Sequence, residues 1–242
     1  MGGDNALPPR APASIPRYYQ PDTLRNYELG WKLTWWDARV RWNGAVYYMR
    51  WVGYQVPIYD PTIASFSFNA NIGDARIYGT ESFLEFEPVE GLHFSVSGSY
   101  NDARLVSNKF QNPDVLILPG ERLPFSPYFN AAGSVRYEHA LNGALRGFAQ
   151  FDVSHKGDMW NDLTISDSGG FHRFLQPAYD IGSLRVGVNP PEGSWQIEGY
   201  ISNLWNKHAI VFANYTGYSH PQVVNEPRVF GVRIKYRWGK KD

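Results

Sequence analysis

The chain has 242 residues, with 23 Lys and Arg balanced by 23 Asp and Glu, and no cysteine. Zero net charge points away from nucleic acid, and the missing thiols exclude a disulfide framework and a thiolate metal site. Aromatic residues reach 16% although mean hydropathy is −0.42, and no apolar run approaches the ~20 residues of a spanning helix. Transmembrane strands and a lectin-like sandwich both suit such a composition.

Residues 1–21 are Pro-rich and lack the cationic stretch and apolar core of a signal peptide. They read as a loop and not as a strand. Nine segments with period-two alternation follow. From Leu24 to Trp36, Tyr27, Leu29, Trp31, Leu33 and Trp35 share one face, and Glu28, Lys32 and Thr34 the other. Val40 to Val56 sets Val40, Trp42, Val46 and Tyr48 against Arg41, Asn43 and Tyr47. Ala75 to Glu87 sets Tyr78, Leu84 and Phe86 against Glu81 and Glu85. Leu92 to Asn101 alternates large apolar residues with His93, Ser95, Ser97 and Ser99. Phe129 to Glu138 and Leu145 to Ser154 keep Val135, Tyr137, Phe151 and Val153 opposite Arg136, Gln150, Asp152 and Ser154. Ala178 to Val188, Trp195 to Ser202 and Arg228 to Trp238 complete the set. Most match the ~9–11 residues of a tilted membrane strand better than the ~5–6 of a soluble one.

The connections decide between the two architectures. "DAR", "PVEG", "HALNG" and "NPPEGS" are tight turns, and they alternate with long connections at Pro57–Asn71, Asp102–Pro127, His155–Pro177 and Asn203–Pro227. Short turns at one end and long loops at the other is the layout of an outer-membrane barrel, with turns periplasmic and loops extracellular. Trp35, Trp36, Trp195 and Trp238 fall at the turn end, and Tyr47, Tyr48, Trp51 and Tyr54 toward the loop end, as two interfacial girdles would. On this reading Arg233, Lys235 and Arg237 of the last strand face the lumen with Glu28, Lys32, Glu81 and Glu85, because a charge toward lipid at the midplane costs ~2–4 kcal/mol.

The residues also resemble a family, the TonB-dependent outer-membrane receptors. The similarity is carried in order by "PDTLRNYELGWKLTW", "RVRWNGAVYYMRW", "GDARIYGTESFLEF", "GERLPFSPYFNAAGSVRYE", "AYDIGSLRVGV", "SNLWNK" and "PRVFGVRIKYRW", and it covers nearly everything after Pro21. The resemblance implies that residues 1–21 are an extracellular-side loop and residues 22–242 the C-terminal part of a β-barrel. The family's plug domain and TonB-contacting box have no counterpart in these residues, and "GKKD" follows the aromatic at which members usually end. Nine strands leave two unpaired edges, which hydrocarbon does not tolerate. An incomplete all-β antiparallel barrel is therefore expected, pairing with further N-terminal strands and enclosing a plug. The partners so implied are outer-membrane lipid, those strands, the plug, TonB acting through the plug, and a siderophore or other small ligand.

Chemistry-bearing constellations are sparse. The six His are scattered, and no nucleophile elbow, phosphate-binding Gly loop or zinc spacing occurs, so neither an enzyme nor a cofactor is expected. Glu81 and Glu85 read as a lumen-lining row and not as an acid/base pair, and Asn203 and Asn206 of "SNLWNK" as residues that order a loop. The ligand-binding candidates are aromatic residues on the long loops: Tyr18, Tyr19, Trp160, Phe212, Tyr215 and Tyr218, with His220. The expected function is TonB-dependent uptake of a scarce ligand, a ferric siderophore first, in a Gram-negative outer membrane. A passive pore or adhesin barrel and a soluble carbohydrate-binding sandwich are the alternatives.

Overall fold

In the computed structural model, which describes residues 2–7, 9, 13, 15–59, 67–110, 116–163, 173–213 and 221–238, the period-two segments join into one antiparallel sheet. Its strands are β1 (Thr23–Trp35), β2 (Val40–Tyr59), β3 (Ser67–Val89), β4 (Leu92–Asn108), β5 (Phe129–Asn142), β6 (Leu145–Lys156), β7 (Tyr179–Asn189), β8 (Trp195–Ser202) and β9 (Val229–Tyr236). Each pairs with its neighbours in sequence, so the sheet is a meander from β1 to β9. The sheet does not close on itself: β1 and β9 each have one partner and one free edge.

Register assigns the faces. Tyr27 lies opposite Tyr48 and Tyr48 opposite Tyr78; at the other end Trp35 meets Val40, Val40 meets Phe86, and Phe86 meets Phe94. The same face continues through Val135, Phe151, Leu184, Ile201 and Phe230. It is one uninterrupted apolar surface, and at β9 it is bare: Val232 is 73% and Ile234 70% exposed. A soluble sandwich would cover this face with a second layer, and among the described residues there is none. The opposite face carries Glu28, Asn43, Glu81, Ser97, Asn130, Ser154, Glu198 and Arg233.

Aromatic rings collect at the turn end of the apolar face. Trp36 stacks on Phe86 at 5.8 Å and Phe86 on Phe94 at 6.2 Å, while Trp195 lies opposite Tyr236, which meets Trp238 at 4.8 Å. The loop-end girdle differs from the expected set. Of Tyr47, Tyr48, Trp51 and Tyr54, only Tyr48 is on the apolar face, beside Tyr27 and Tyr78. Tyr47 points inward and donates to Asn101 Oδ1 at 3.2 Å, and Trp51 and Tyr54 pack into a core above the membrane level.

That core was not expected. Where loops were anticipated from Pro57 and Asp102, β2 continues to Tyr59, β3 begins at Ser67 and β4 runs to Asn108. The register of the β2–β3 pair shifts twice, between Trp51 and Tyr54 with an extra residue on β2 and between Tyr54 and Gln55 with one on β3. That of the β3–β4 pair shifts beside Asp74 and Ala75, with an extra residue on β4. An extra residue at a bulge exchanges the two faces of everything beyond it. Below the shift the inward residues of β2 are Ala45, Tyr47 and Met49; above it they are Tyr54, Val56 and Ile58. Beyond the bulges the inner side is therefore apolar, and Ile58, Phe68, Ala70, Ile72, Ala75, Ala103 and Leu105 are packed by Ile15, Ile117, Leu123 and Leu163 from the loops. Residues 117–128 fold back beside β4, with Leu123 N–H donating to Ala103 O at 2.9 Å and Leu105 N–H to Glu121 O at 3.0 Å. The N-terminal segment is tied to the same hairpin. Asn5 donates to Asn69 O at 2.9 Å and accepts from its N–H at 2.8 Å, and Gln20 and Asn71 exchange bonds of 2.7 and 2.9 Å.

Candidate functional site: the lumen wall and the outer loops

The polar face holds a concavity of about 770 Å³ across β1 to β5, lined by Glu28, Lys32, Asn43, Glu81, Ser99 and Asn130 among others. Small residues on β4 and β5 (Ser97, Gly98, Ala131, Ala132) leave it open. Glu81 and Glu85 are not neighbours in use. Glu85 belongs to a second hollow of about 440 Å³ nearer the turns, with Arg39, Arg41, Glu87, His93 and Arg136. It faces Arg41 at 3.9 Å across an exposed pair, an interaction of ~0–1 kcal/mol.

The three cations of the last strand are not equivalent. Arg233 Nη1 donates to Glu198 Oε1 at 2.8 Å, directly across the β8–β9 pair, and its guanidinium lies 5.2 Å from the Tyr200 ring. Lys235 stands opposite Gln196 with an exposed side chain. Arg237 lies just past β9, its N–H donating to Ser194 O at 2.8 Å and its side chain exposed. Glu198 went unnoticed in the sequence; it also accepts from Gln196 Nε2 at 2.6 Å. A second unanticipated network crosses β5 to β7. Arg136 bonds Glu138 at 2.6 Å and Gln150 at 3.1 Å, Gln150 bonds Ser134 at 3.0 Å and Asp152 at 2.8 Å, and Arg185 bonds Asp152 at 2.8 Å. The alternation of Arg136 with Glu138, and of Gln150 with Asp152, was the signal available.

On the outer side, two of the candidate aromatics meet through a third residue. Trp160 sits in a two-residue ribbon, Met159–Trp160 paired with Leu175–Gln176, under the Arg173 guanidinium at 4.1 Å. Phe125 N–H donates to Trp160 O at 2.8 Å, and the Phe125 ring stacks on Phe212 at 5.8 Å. Asn161 Nδ2 reaches Ala213 O at 3.2 Å, tying the two loops. Phe125 and Phe212 keep exposed ring faces, and Phe125 was not among the sequence candidates. The cations here are held by acids: Arg173 by Glu121, Arg122 by Asp158 at 2.6 Å, and Arg104 by Asp102 at 2.7 Å. Tyr18 and Tyr19 form a ribbon with Gly3–Asp4 on the β2–β3 hairpin, Tyr18 exposed and Tyr19 lying over Gly3. Tyr215, Tyr218 and His220 lie outside the described residues. Among the described residues no group of three His, Asp or Glu is placed to hold a metal ion.

"SNLWNK" orders its loop through two Asn in the left-handed region, at φ 48° for Asn203 and 51° for Asn206. Asn203 Nδ2 donates to Lys207 O and Glu226 O, both at 2.9 Å, while its Oδ1 accepts Lys207 N–H at 2.8 Å. Trp205 thereby turns onto the apolar face against Gly182 and Phe151.

A family model described as TonB dependent receptor-like, beta-barrel matches residues 5–204. The fold is similar to solved structures across nearly the whole chain. The ferric yersiniabactin uptake receptor FyuA from Yersinia pestis is 20% identical, with a TM-score of 0.69 over 90% of this chain and 30% of that one. The siderophore receptor PiuA from Acinetobacter baumannii is 19% identical, with a TM-score of 0.66 over 90% of this chain and 29% of its own. The copper transporter OprC is 14% identical, with a TM-score of 0.66 over 90% and 32%. The chain thus spans about 30% of the length of these receptors.

Proposed function

The chain belongs to the TonB-dependent receptor-like β-barrel family of the Gram-negative outer membrane, and from that premise we propose that it is the C-terminal wall of an importer for a ferric siderophore. The reading is supported by two features together: a hollowed inner face carrying Glu28, Lys32, Asn43 and Glu81, and an aromatic Trp160–Phe125–Phe212 cluster among the loops. Flat exposed rings beside acid-held guanidinium groups suit a chelate with aromatic or planar parts better than a bare cation, which would need converging oxygen or nitrogen ligands. FyuA is a ferric yersiniabactin uptake receptor and PiuA a siderophore receptor, whereas OprC is a copper transporter on the same fold, so the barrel by itself does not select iron. In this proposal the plug closes the lumen against Glu28, Lys32, Glu81, Glu85, Arg233, Lys235 and Arg237, and TonB acts on the plug to release cargo.

The test is radiolabelled iron uptake from a panel of ferric siderophores, in cells with the gene for this chain intact or disrupted, with and without functional TonB. The proposal expects one siderophore whose uptake needs both. Uptake that survives loss of TonB would favour a passive pore, and unchanged uptake of every siderophore would end the reading.

A further inference from the structure

Five arginines from distant parts of the chain stand in one cross-strand row. Arg25 on β1 is opposite Arg50 on β2, Arg50 opposite Arg76 on β3, Arg76 opposite Arg104 on β4, and Arg104 is bridged to Arg122. Adjacent members are ~5 Å apart at the backbone, and like charges directly opposite one another destabilise a sheet. The row lies on the apolar side of the wall, two residues beyond Tyr27, Tyr48 and Tyr78, where the lipid-facing surface ends on the loop side.

The row divides into two parts. Arg104 and Arg122 are satisfied within the protein, by Asp102, by Asp158 and by the Tyr128 ring. Arg25, Arg50 and Arg76 are exposed, and among the described residues none of them has a carboxylate within salt-bridge distance. Asp74 feels the charge of Arg50, but its oxygens are taken by Gly53 N–H at 3.1 Å and by the Lys109 ammonium. Arg76 lies over Tyr78 at 5.5 Å, which fixes its direction without neutralising it. Among the described residues, then, three adjacent guanidinium groups at the outer lipid boundary have no carboxylate in salt-bridge reach. Their planar forks match phosphate oxygens in pairs.

We propose that Arg25, Arg50 and Arg76 form a docking ladder for the phosphates of the outer-leaflet glycolipid, lipid A. Its sugar-phosphate head would sit on the three guanidinium groups and its acyl chains on the Tyr27–Tyr48–Tyr78 surface beneath. The inference rests on the outer-membrane placement of the wall and is independent of the cargo.

The test compares the receptor that contains this chain with a variant carrying Arg25→Gln, Arg50→Gln and Arg76→Gln together. Both are extracted from outer membranes in mild detergent, and co-purifying lipid A is quantified by mass spectrometry. Heat-modifiable migration establishes that each barrel is folded. Retention is expected to fall at least about tenfold in the variant, given the contribution of each cation near an anionic lipid surface. In nanodiscs, the unaltered receptor should hold bisphosphorylated lipid A and release the dephosphorylated form. Equal retention by the two proteins, or of the two lipids, overturns the ladder. Full displacement by inorganic phosphate at physiological concentration also overturns it, by assigning the row to a free anion. If the triple variant does not fold, the comparison of the two lipids on the unaltered receptor decides alone. Siderophore uptake is measured in parallel, so loss of the cargo reading and loss of the lipid reading are separately visible.

Discussion

Glu198 is 1% exposed, and its carboxylate accepts hydrogen bonds from both Arg233 and Gln196; a buried polar group stripped of its partner is costly. Arg233→Leu would leave that charge with one neutral donor. It should cost about 2 kcal/mol, read as a lower temperature for loss of heat-modifiable migration. Lys235→Leu, two residues on and exposed, should stay within about 0.5 kcal/mol of the parent. Equal losses would mean that the Arg233–Glu198 bond carries no weight. Asp74 gives a pH-dependent counterpart outside the membrane. The Gly53 N–H, and after it Lys109, hold its carboxyl below the usual value of 3.8 against an opposing contribution from burial. A carboxyl lowered in the folded state stabilises above its unfolded value and loses that contribution as pH falls through the folded one. The loop-side core should therefore weaken only below pH 3.8, and Asp74→Asn should remove that acid step while lowering stability at neutral pH. Trp51 fluorescence, sensitive to the packing of that core, measures both.

At the scale of elements, the bulges separate a membrane wall from an extracellular extension. Gly73 has φ 150°, and a Cβ there would stand 1.8 Å from the Ser107 carbonyl oxygen, a backbone atom that cannot swing aside. Gly73→Ala should therefore open the β3–β4 pairing at this level, at a cost of about 1–3 kcal/mol. Limited proteolysis should find new cleavage between residues 67 and 75 while the turn-side half stays protected. Protection of both halves would show that the bulge is dispensable. The same bulges mark where the sequence ceased to be readable. All nine strands were visible because each alternates cleanly between lipid and lumen. Past Trp51 on β2, and before Ala75 on β3, the parity reverses and both Val56–Ile58 and Phe68–Ile72 turn their apolar residues inward. A reader following one period sees the pattern break at Gly53 and Pro57 and infers a loop. The arginine row was hidden for another reason. Arg25, Arg50, Arg76 and Arg104 are far apart in sequence, and only the lengths of three connections bring them into line. The Trp160–Phe212 meeting depended on Phe125, whose position follows from the folding back of residues 117–128 and from no local pattern. Glu28, Lys32 and Glu81, by contrast, were legible, since alternation alone puts them on the polar face.

For the whole molecule, the sheet has one dry face, one wet face and two bare edges. The free backbone of β1 runs for 13 residues, and unpaired N–H and C=O groups in hydrocarbon cost several kcal/mol each. The wall is therefore stable in a membrane only when both edges are paired, and this chain spans about 30% of the length of the solved receptors it resembles. The two faces make the sharpest demand, because a shift of one residue would place Arg233 and Lys235 in lipid. The chain has no cysteine, so single cysteines can be introduced from Val229 to Tyr236 in the membrane-embedded receptor and spin-labelled, and their collisions with oxygen and with a water-soluble nickel complex measured. Positions 230, 232, 234 and 236 should be open to oxygen and closed to nickel, and positions 231, 233 and 235 the reverse. Accessibility without that two-residue period, or nickel contact at every position, would contradict a wall with lipid on one side and an aqueous lumen on the other.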